Sequence, residues 1–182
     1  IERAVAGKKL VTQYSTILGS RAPKPHMRMP YPSITPVHNV KSAKTFIQAM
    51  WAACIAGENI IKKLTPHIYD RQKKLFEKVD KQWTFGNLFT SSISNYNIAA
   101  SYHRDTGNLV GSVNIIYTKR YQSRGGCLHV PDFDVTFVQK DNSMLVYPAW
   151  KNIHGVTPIQ ELHPGGYRNS LIFYPLKAFY EA

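Results

Sequence analysis

Apolar positions along this chain follow two different periods that meet near residue 83. From Ser42 onward Phe46, Met50, Ala53, Cys54 and Ile61 recur at mixed three- and four-residue spacing, the period of one helix face. Ser42 is a residue type that caps helix N-termini, and Ile47, Trp51 and Ile55 fill the other faces. The helix is therefore expected to be apolar nearly all round and largely buried. Pro66 fits the first turn of a second helix, where a missing N–H costs nothing, with Ile68, Leu75, Phe76 and Val79 on one side. Arg71, Lys74, Lys78 and Lys81 recur at intervals of three, four and three and predict one basic stripe beside that face. Such a stripe is either a solvated surface or a nucleic-acid contact.

Beyond Trp83 the pattern changes to short β-type runs: Ile93 to Tyr102, Gly111 to Tyr117, Cys127 to Val130, Val135 to Gln139, Ser143 to Tyr147 and Ser170 to Tyr174. Turn signals such as Thr106-Gly107-Asn108, Arg124-Gly125-Gly126, Lys140-Asp141-Asn142 and Pro164-Gly165-Gly166 separate them. Before the helices, prolines at 23, 25, 30, 32 and 36 exclude a helix or central strand and predict a loop from Arg21 to Pro36. Helices first and many strands after give an α+β, mainly β, class: an antiparallel jelly roll braced by two N-terminal helices. A length of 182 residues fits one domain, divided as an N-terminal extension and Pro-rich loop (1–40), supporting helices (41–82) and a jelly-roll core (83–182).

Composition narrows the partners. Twenty-three Lys and Arg against eleven Asp and Glu give a formal charge of +12, which favours a polyanion, nucleic acid or an acidic membrane surface. No apolar run approaches the roughly 20 residues of a membrane helix, and the most apolar one, Phe46 to Ile61, is broken by Gly57, Glu58 and Asn59. A soluble protein with no membrane partner is expected. Cys54 and Cys127 stand alone with no CxxC, so neither a disulfide framework nor a zinc cluster is on offer. A reducing, intracellular compartment follows as the expectation: the nucleus in a eukaryote, the cytoplasm otherwise. The chain opens with Ile1, which leaves room for a targeting segment removed from ahead of it. Nothing in the sequence indicates an oligomeric state.

Candidate chemistry concentrates in Tyr102-His103-Arg104-Asp105 and, later, Ile153-His154-Gly155. In an extended segment residues two apart share a face, so His103 and Asp105 can point into a barrel while Arg104 points away. His154 comes 51 residues after His103, as opposite strands of a jelly roll require. Two His and one carboxylate leave three adjacent positions open on Fe(II), enough for a chelating co-substrate together with dioxygen. Arg168 follows fourteen residues after His154, and Ser170 shares its face. A guanidinium fork with a hydroxyl beside it suits the distal carboxylate of 2-oxoglutarate. Each residue alone has a plainer reading, the histidines as packed core residues, Asp105 as a turn former and Arg168 as a surface cation. The joint order and spacing set those aside. The other histidines, at 26, 38, 67, 129 and 163, are read as surface or packing residues.

The last ninety or so residues resemble the double-stranded β-helix 2-oxoglutarate oxygenases, with Gly125-Gly126-Cys127-Leu128-His129-Val130-Pro131 similar to their GGxLxxP element. Within that superfamily, His103-Arg104-Asp105-Thr106-Gly107-Asn108 resembles the HxDxxN stretch of the TET/JBP nucleic-acid base oxygenases. The large cysteine-rich, zinc-binding region of animal TET proteins is absent from the sequence. The resemblance implies Fe(II), 2-oxoglutarate as co-substrate and ascorbate as a supporting reductant. It further implies oxidation of 2-oxoglutarate to succinate coupled to hydroxylation of a methyl group, on 5-methylcytosine or thymine in nucleic acid, DNA being the expected form. Asn108 would then touch the target base, which must leave the duplex to reach the metal. Tyr96, Asn97 and Tyr102 are the further candidates for that pocket, with phosphates met by Arg21, Lys24, Arg28, Lys119, Arg120 and Arg124. Alternatives with the same four core residues are an oxygenase acting on a protein side chain or small metabolite, and a cupin-like binding protein without turnover.

Overall fold

The computed structural model describes residues 2–3 and 11–180. Two short strands, β1 (Glu2–Arg3) and β2 (Val11–Thr12), pair at the start, and β3 (Tyr14–Arg21) follows. The Pro-rich segment forms 3-10 turns around the two-residue strand β4 (Ser33–Ile34), and the helices are α1 (Lys44–Leu64) and α2 (Pro66–Phe76). Then come β5 (Ser91–Tyr96), β6 (Ala100–His103), β7 (Asn114–Tyr121), β8 (Ser123–Gly125), β9 (Leu128–Val130), β10 (Val135–Phe137), β11 (Ser143–Tyr147), β12 (His154–Val156), β13 (Ile159–Glu161) and β14 (Tyr167–Tyr174). A six-stranded antiparallel sheet, β11-β7-β14-β5-β3-β4, and a four-stranded one, β10-β9-β12-β6, enclose one cavity between them, while β8 and β13 make a side ribbon. This is the mainly β jelly roll with two helices that the hydrophobic pattern predicts.

Helix α1 lies on the outside of the large sheet. Met50, Cys54 and Ile61 join Leu18, Phe85, Phe89, Ile115 and Phe173 in the main core. Gly57 allows the close approach, because a Cβ there would come 2.9 Å from Ile115 Cδ1. Two buried polar side chains lock the helices to the loops beneath them. Glu58 accepts from the backbone N–H of Asn87 (2.7 Å) and of Leu88 (2.9 Å), and Gln72 of α2 donates to Leu88 O and accepts from Val113 N. These bonds satisfy groups that would otherwise be stranded away from water.

The structure departs from the sequence pattern at several points. Ser42 does not cap α1. It sits in a 3-10 turn (Lys41–Ala43), and the chain enters the helix through successive turns whose carbonyls meet the first amides, so no side-chain cap forms. Nor is α1 buried all round: Trp51 and Ile60 are exposed, because only one face meets the sheet. Helix α2 ends at Phe76, so Lys78 and Lys81 lie beyond it and the expected basic stripe is broken after Lys74. The run from Ile93 to Tyr102 is two strands in two different sheets, separated at Asn97 with φ +55°. Finally, the supposed N-terminal extension contributes β3, which lies between β5 and β4 in the large sheet. Its two aliphatics, Ile17 and Leu18, are adjacent rather than alternate, so the period-two signal is missing there.

Candidate active site

Strand pairing builds the centre. His154 on β12 is the direct cross-strand partner of His103 on β6, and their rings stand 4.5 Å apart between centroids. In each case Nδ1 faces the carbonyl of the residue two positions earlier, at 2.7 Å for His103 with Ser101 and 2.9 Å for His154 with Asn152. A carbonyl only accepts, so the hydrogen belongs on Nδ1 and the lone pair on Nε2. Both Nε2 atoms converge on Asp105 Oδ1, at 3.2 and 3.8 Å. Strand β6 ends at His103, and Asp105 is brought to the same side by its backbone N–H, which donates to Ala149 O at 3.1 Å. The three ligand atoms lie within 4.8 Å of one another. Ligands at about 2 Å from a single ion lie no more than about 4 Å apart, a limit that the 3.2 and 3.8 Å separations meet, and the donor set of two imidazoles and one carboxylate fits Fe(II). His154 is buried, whereas His103 is exposed, so the centre sits at a cavity mouth.

A hydrogen-bonded relay supports the carboxylate. Asn114 is fully buried and its Nδ2 reaches Asp105 Oδ2 in a long contact of 3.4 Å, while its Oδ1 accepts from Asn108 Nδ2 at 3.1 Å. An ionised carboxylate only accepts, which fixes the direction of both amides and leaves Asn108 Oδ1 uncommitted among the described residues. Groups that orient a metal ligand are worth about 10- to 100-fold in metal affinity or activity. Asn114→Ala is therefore expected to weaken Mn(II) binding, used as a stand-in for Fe(II), within that range. Unchanged affinity by titration calorimetry would show that the long contact orients nothing.

Arg168 lies in the cavity wall with 2% of its surface exposed, and its Nε is buried without a hydrogen-bond partner. Among the described residues its guanidinium has no carboxylate beside it. Burial, with Arg120 close by, lowers its pKa to about 10, so it remains a cation near neutrality. A buried, unpartnered guanidinium calls for an anion. Ser170 is equally buried on the same face, and Thr118, directly across from it on β7, carries a buried hydroxyl without a hydrogen-bond partner. Gly126 makes the space: at φ +62°, a Cβ there would press within 3.0 Å of Arg168 Cδ. The cavity holds about 390 Å³ and joins Arg168 and Ser170 to the His-Asp-His centre. These residues fit a metal-chelating dicarboxylate reaching back to Arg168.

The other candidates distribute unevenly. Asn108 lines the cavity, but Tyr96, Asn97 and Tyr102 do not. Tyr96 faces away, stacked on Tyr167 at 5.6 Å, and lies beside Asn169 at the Arg168 end of the sheet. Asn97 clamps the backbone of Arg168, accepting from its N–H at 2.9 Å and donating to its carbonyl at 2.8 Å. Tyr102 points out of the minor sheet into a separate groove, against His129. Of the expected phosphate contacts, Arg120 turns inward beside Arg168 and donates to Gly125 O, and Arg21 is tied to Ser33 Oγ. Lys119 is engaged by Asp141 and Asn142, and Arg124 by Gln160. The cavity instead recruits Asn95, Tyr147 and Tyr174. Tyr147 meets the His154 ring edge-on at 5.3 Å. Burial and then the Asp105 charge raise the Tyr174 phenol to about 12 and push Tyr147 up as well, so both stay protonated. Alternation could have found Tyr174, because Arg168, Ser170, Ile172 and Tyr174 all lie on one face of β14.

A family model described as the oxygenase domain of the 2OGFeDO superfamily (Tet_JBP) matches residues 22–177. No curated protein sequence matches the chain. Among solved structures the fold is similar to "NgTET1 in complex with 5mC DNA", with TM-score 0.70 and 15% identity over 91% of this chain and 62% of that one. The chain thus spans less than two thirds of that structure. A 2OG-Fe(II) oxygenase family oxidoreductase from Burkholderia pseudomallei aligns with TM-score 0.46 and 13% identity, over 96% of this chain and 70% of that one.

Proposed function

The chain belongs to the Tet/JBP oxygenase family of the iron and 2-oxoglutarate superfamily, and we propose from that footing that it hydroxylates the methyl group of 5-methylcytosine or thymine in nucleic acid, DNA foremost. The observation that carries this reading is the single cavity that holds a His-Asp-His centre, an anion-seeking Arg168 and a buried Asn108 with an uncommitted oxygen. Bound together, Fe(II), 2-oxoglutarate and dioxygen supply the oxidising power for an unactivated C–H bond and release succinate. The protein's own contribution is placement. His103, Asp105 and His154 would hold the metal, and Arg168 with Ser170 would hold the far carboxylate of the co-substrate. Ile93, Ile116, Leu128 and Ile172 line the cavity with apolar surface that keeps water away from the reacting atoms. Asn108 would read an edge of the base.

Support also comes from the +12 charge and from the fold shared with a protein solved on 5mC DNA. Incubation of methylated DNA with the protein, Fe(II), ascorbate and 2-oxoglutarate should yield hydroxymethylated nucleosides by mass spectrometry. Succinate release with no modified nucleoside would point to another substrate. Asn108→Ala should lower the product formed per succinate by roughly two- to tenfold, the worth of one ordinary hydrogen bond of ~0.5–1.5 kcal/mol. Unaltered coupling would remove Asn108 from base recognition.

A further inference from the structure

Strands β7 and β14 set four polar side chains against one another. Arg168 stands directly opposite Arg120, and Ser170 directly opposite Thr118. Directly opposed residues of an antiparallel pair share a face, so Arg120 and Thr118 lie on the inner face with Arg168 and Ser170. Arg168 and Ser170 line the cavity, and Arg120 lies outside its lining.

Neither guanidinium is matched by an acid. Among the described residues neither forms an ion pair, and the Nε of each is buried with no hydrogen-bond partner. Asp141 meets the backbone N–H of Arg120 rather than its side chain. The other two nitrogens of Arg120 donate only to backbone carbonyls, Nη1 to Ser123 O at 3.3 Å and Nη2 to Gly125 O at 2.8 Å. Gly125 precedes Gly126, where a Cβ would press within 3.1 Å of Arg168 Nε, so Arg120 props the turn that walls the Arg168 slot. A neutral amide could hold that carbonyl. A second positive charge exceeds what the tie requires, because like charges directly opposite each other destabilise a sheet and desolvation adds to the cost. Burial first, and then the Arg120 charge, pull the Arg168 pKa down to about 10, so Arg168 remains a cation near neutrality beside its neighbour.

We infer that Arg120 is a positioning residue of the co-substrate site, holding the Gly125–Gly126 turn against Arg168 and adding a second positive charge that makes the site select 2-oxo acids with an anionic tail. This rests on Arg168 as the anchor of the far carboxylate. An anion on Arg168 relieves the repulsion between the two guanidinium groups, which no carboxylate of the described chain does. A neutral tail leaves that repulsion in place, so Arg120 widens the gap between the two classes of ligand without touching either.

Titration calorimetry with Mn(II) in place of Fe(II) measures this without turnover. The ligands are 2-oxoglutarate and 2-oxopentanoate, which chelates through the same 2-oxo acid and ends in a methyl group where 2-oxoglutarate has its second carboxylate. One unit charge about 10 Å from a carboxylate, at an effective dielectric constant of about 20, corresponds to roughly tenfold in affinity. Arg120→Gln keeps a donor for Gly125 O and drops the charge. It should weaken 2-oxoglutarate about tenfold and leave 2-oxopentanoate within about twofold. Arg120→Lys keeps the charge and should hold 2-oxoglutarate within about threefold of the original. Equal weakening of both ligands by Arg120→Gln, no weakening of either, or loss of the preference for 2-oxoglutarate in Arg120→Lys would reduce Arg120 to a tie on the turn and overturn the inference. If the unaltered protein itself bound the two ligands equally, Arg168 would lose its place as the anchor and the inference would fall with it, a separable outcome.

Discussion

Replacing His103, Asp105 or His154 with Ala is expected to abolish turnover while leaving the protein folded. Each residue contributes one of three ligand atoms gathered within 4.8 Å, with both imidazole lone pairs aimed at one carboxylate oxygen. Loss of a direct ligand should exceed the roughly 100-fold upper range seen when only a supporting group is removed. The fold should tolerate the change. His103 is exposed, Asp105 is half-buried, and His154 borders an existing cavity, so truncation opens no new void in a packed core. Succinate release and circular dichroism together check this, and retained turnover in any two of the variants would sink the triad as the metal site.

Arg168→Lys is expected to raise the apparent KM for 2-oxoglutarate by roughly 10- to 150-fold, corresponding to a charge-assisted hydrogen bond of ~1.5–3 kcal/mol. An ammonium is a point charge on a flexible stem and cannot reproduce the planar fork in a cavity shaped by Gly126 around the guanidinium. A companion change separates binding from stability. Without its anion, Arg168 is a buried cation with no carboxylate partner among the described residues, and burial already pulls its pKa down to about 10. Arg168→Met removes that desolvation cost while keeping much of the volume, so the ligand-free protein should melt higher yet lose its stabilisation by 2-oxoglutarate. A lower melting temperature in the ligand-free state would show that the guanidinium is held by contacts the cavity view omits. An unchanged KM in Arg168→Lys would mean that the anchor lies elsewhere.

The Asn114 relay and the inward turn of Arg120 illustrate how support for a site escapes sequence reasoning. Asn114 sits at the start of a strand whose following residues are apolar, and nothing in that run marks it as the partner of a carboxylate nine positions earlier. Arg120 belongs to a basic cluster that reads as surface, and only its register opposite Arg168 draws it inward. Glu58 is similar: in sequence it interrupts an apolar helix, and in the fold it ties together the Asn87–Leu88 amides.

By itself the sequence determined the class of fold and the change from helical to strand period near residue 83, and it singled out His103, Asp105, His154 and Arg168, which the fold brings to one cavity, because these are carried by spacing along the chain. His103 and Asp105 are two apart, Arg168 and Ser170 are two apart, and periodicity of that kind survives folding unchanged. The tertiary structure alone decided which neighbours complete the site. Two strands cut from one apparent run, with the break at Asn97, send Tyr96 and Tyr102 outside the cavity and leave Asn95 within it. The β3 register, unreadable from adjacent Ile17 and Leu18, brings the Pro-rich loop off the same end of the large sheet as Tyr174, which lines the cavity. Pairing between distant strands is a non-local choice set by which faces can be buried together, and one-dimensional spacing does not encode it.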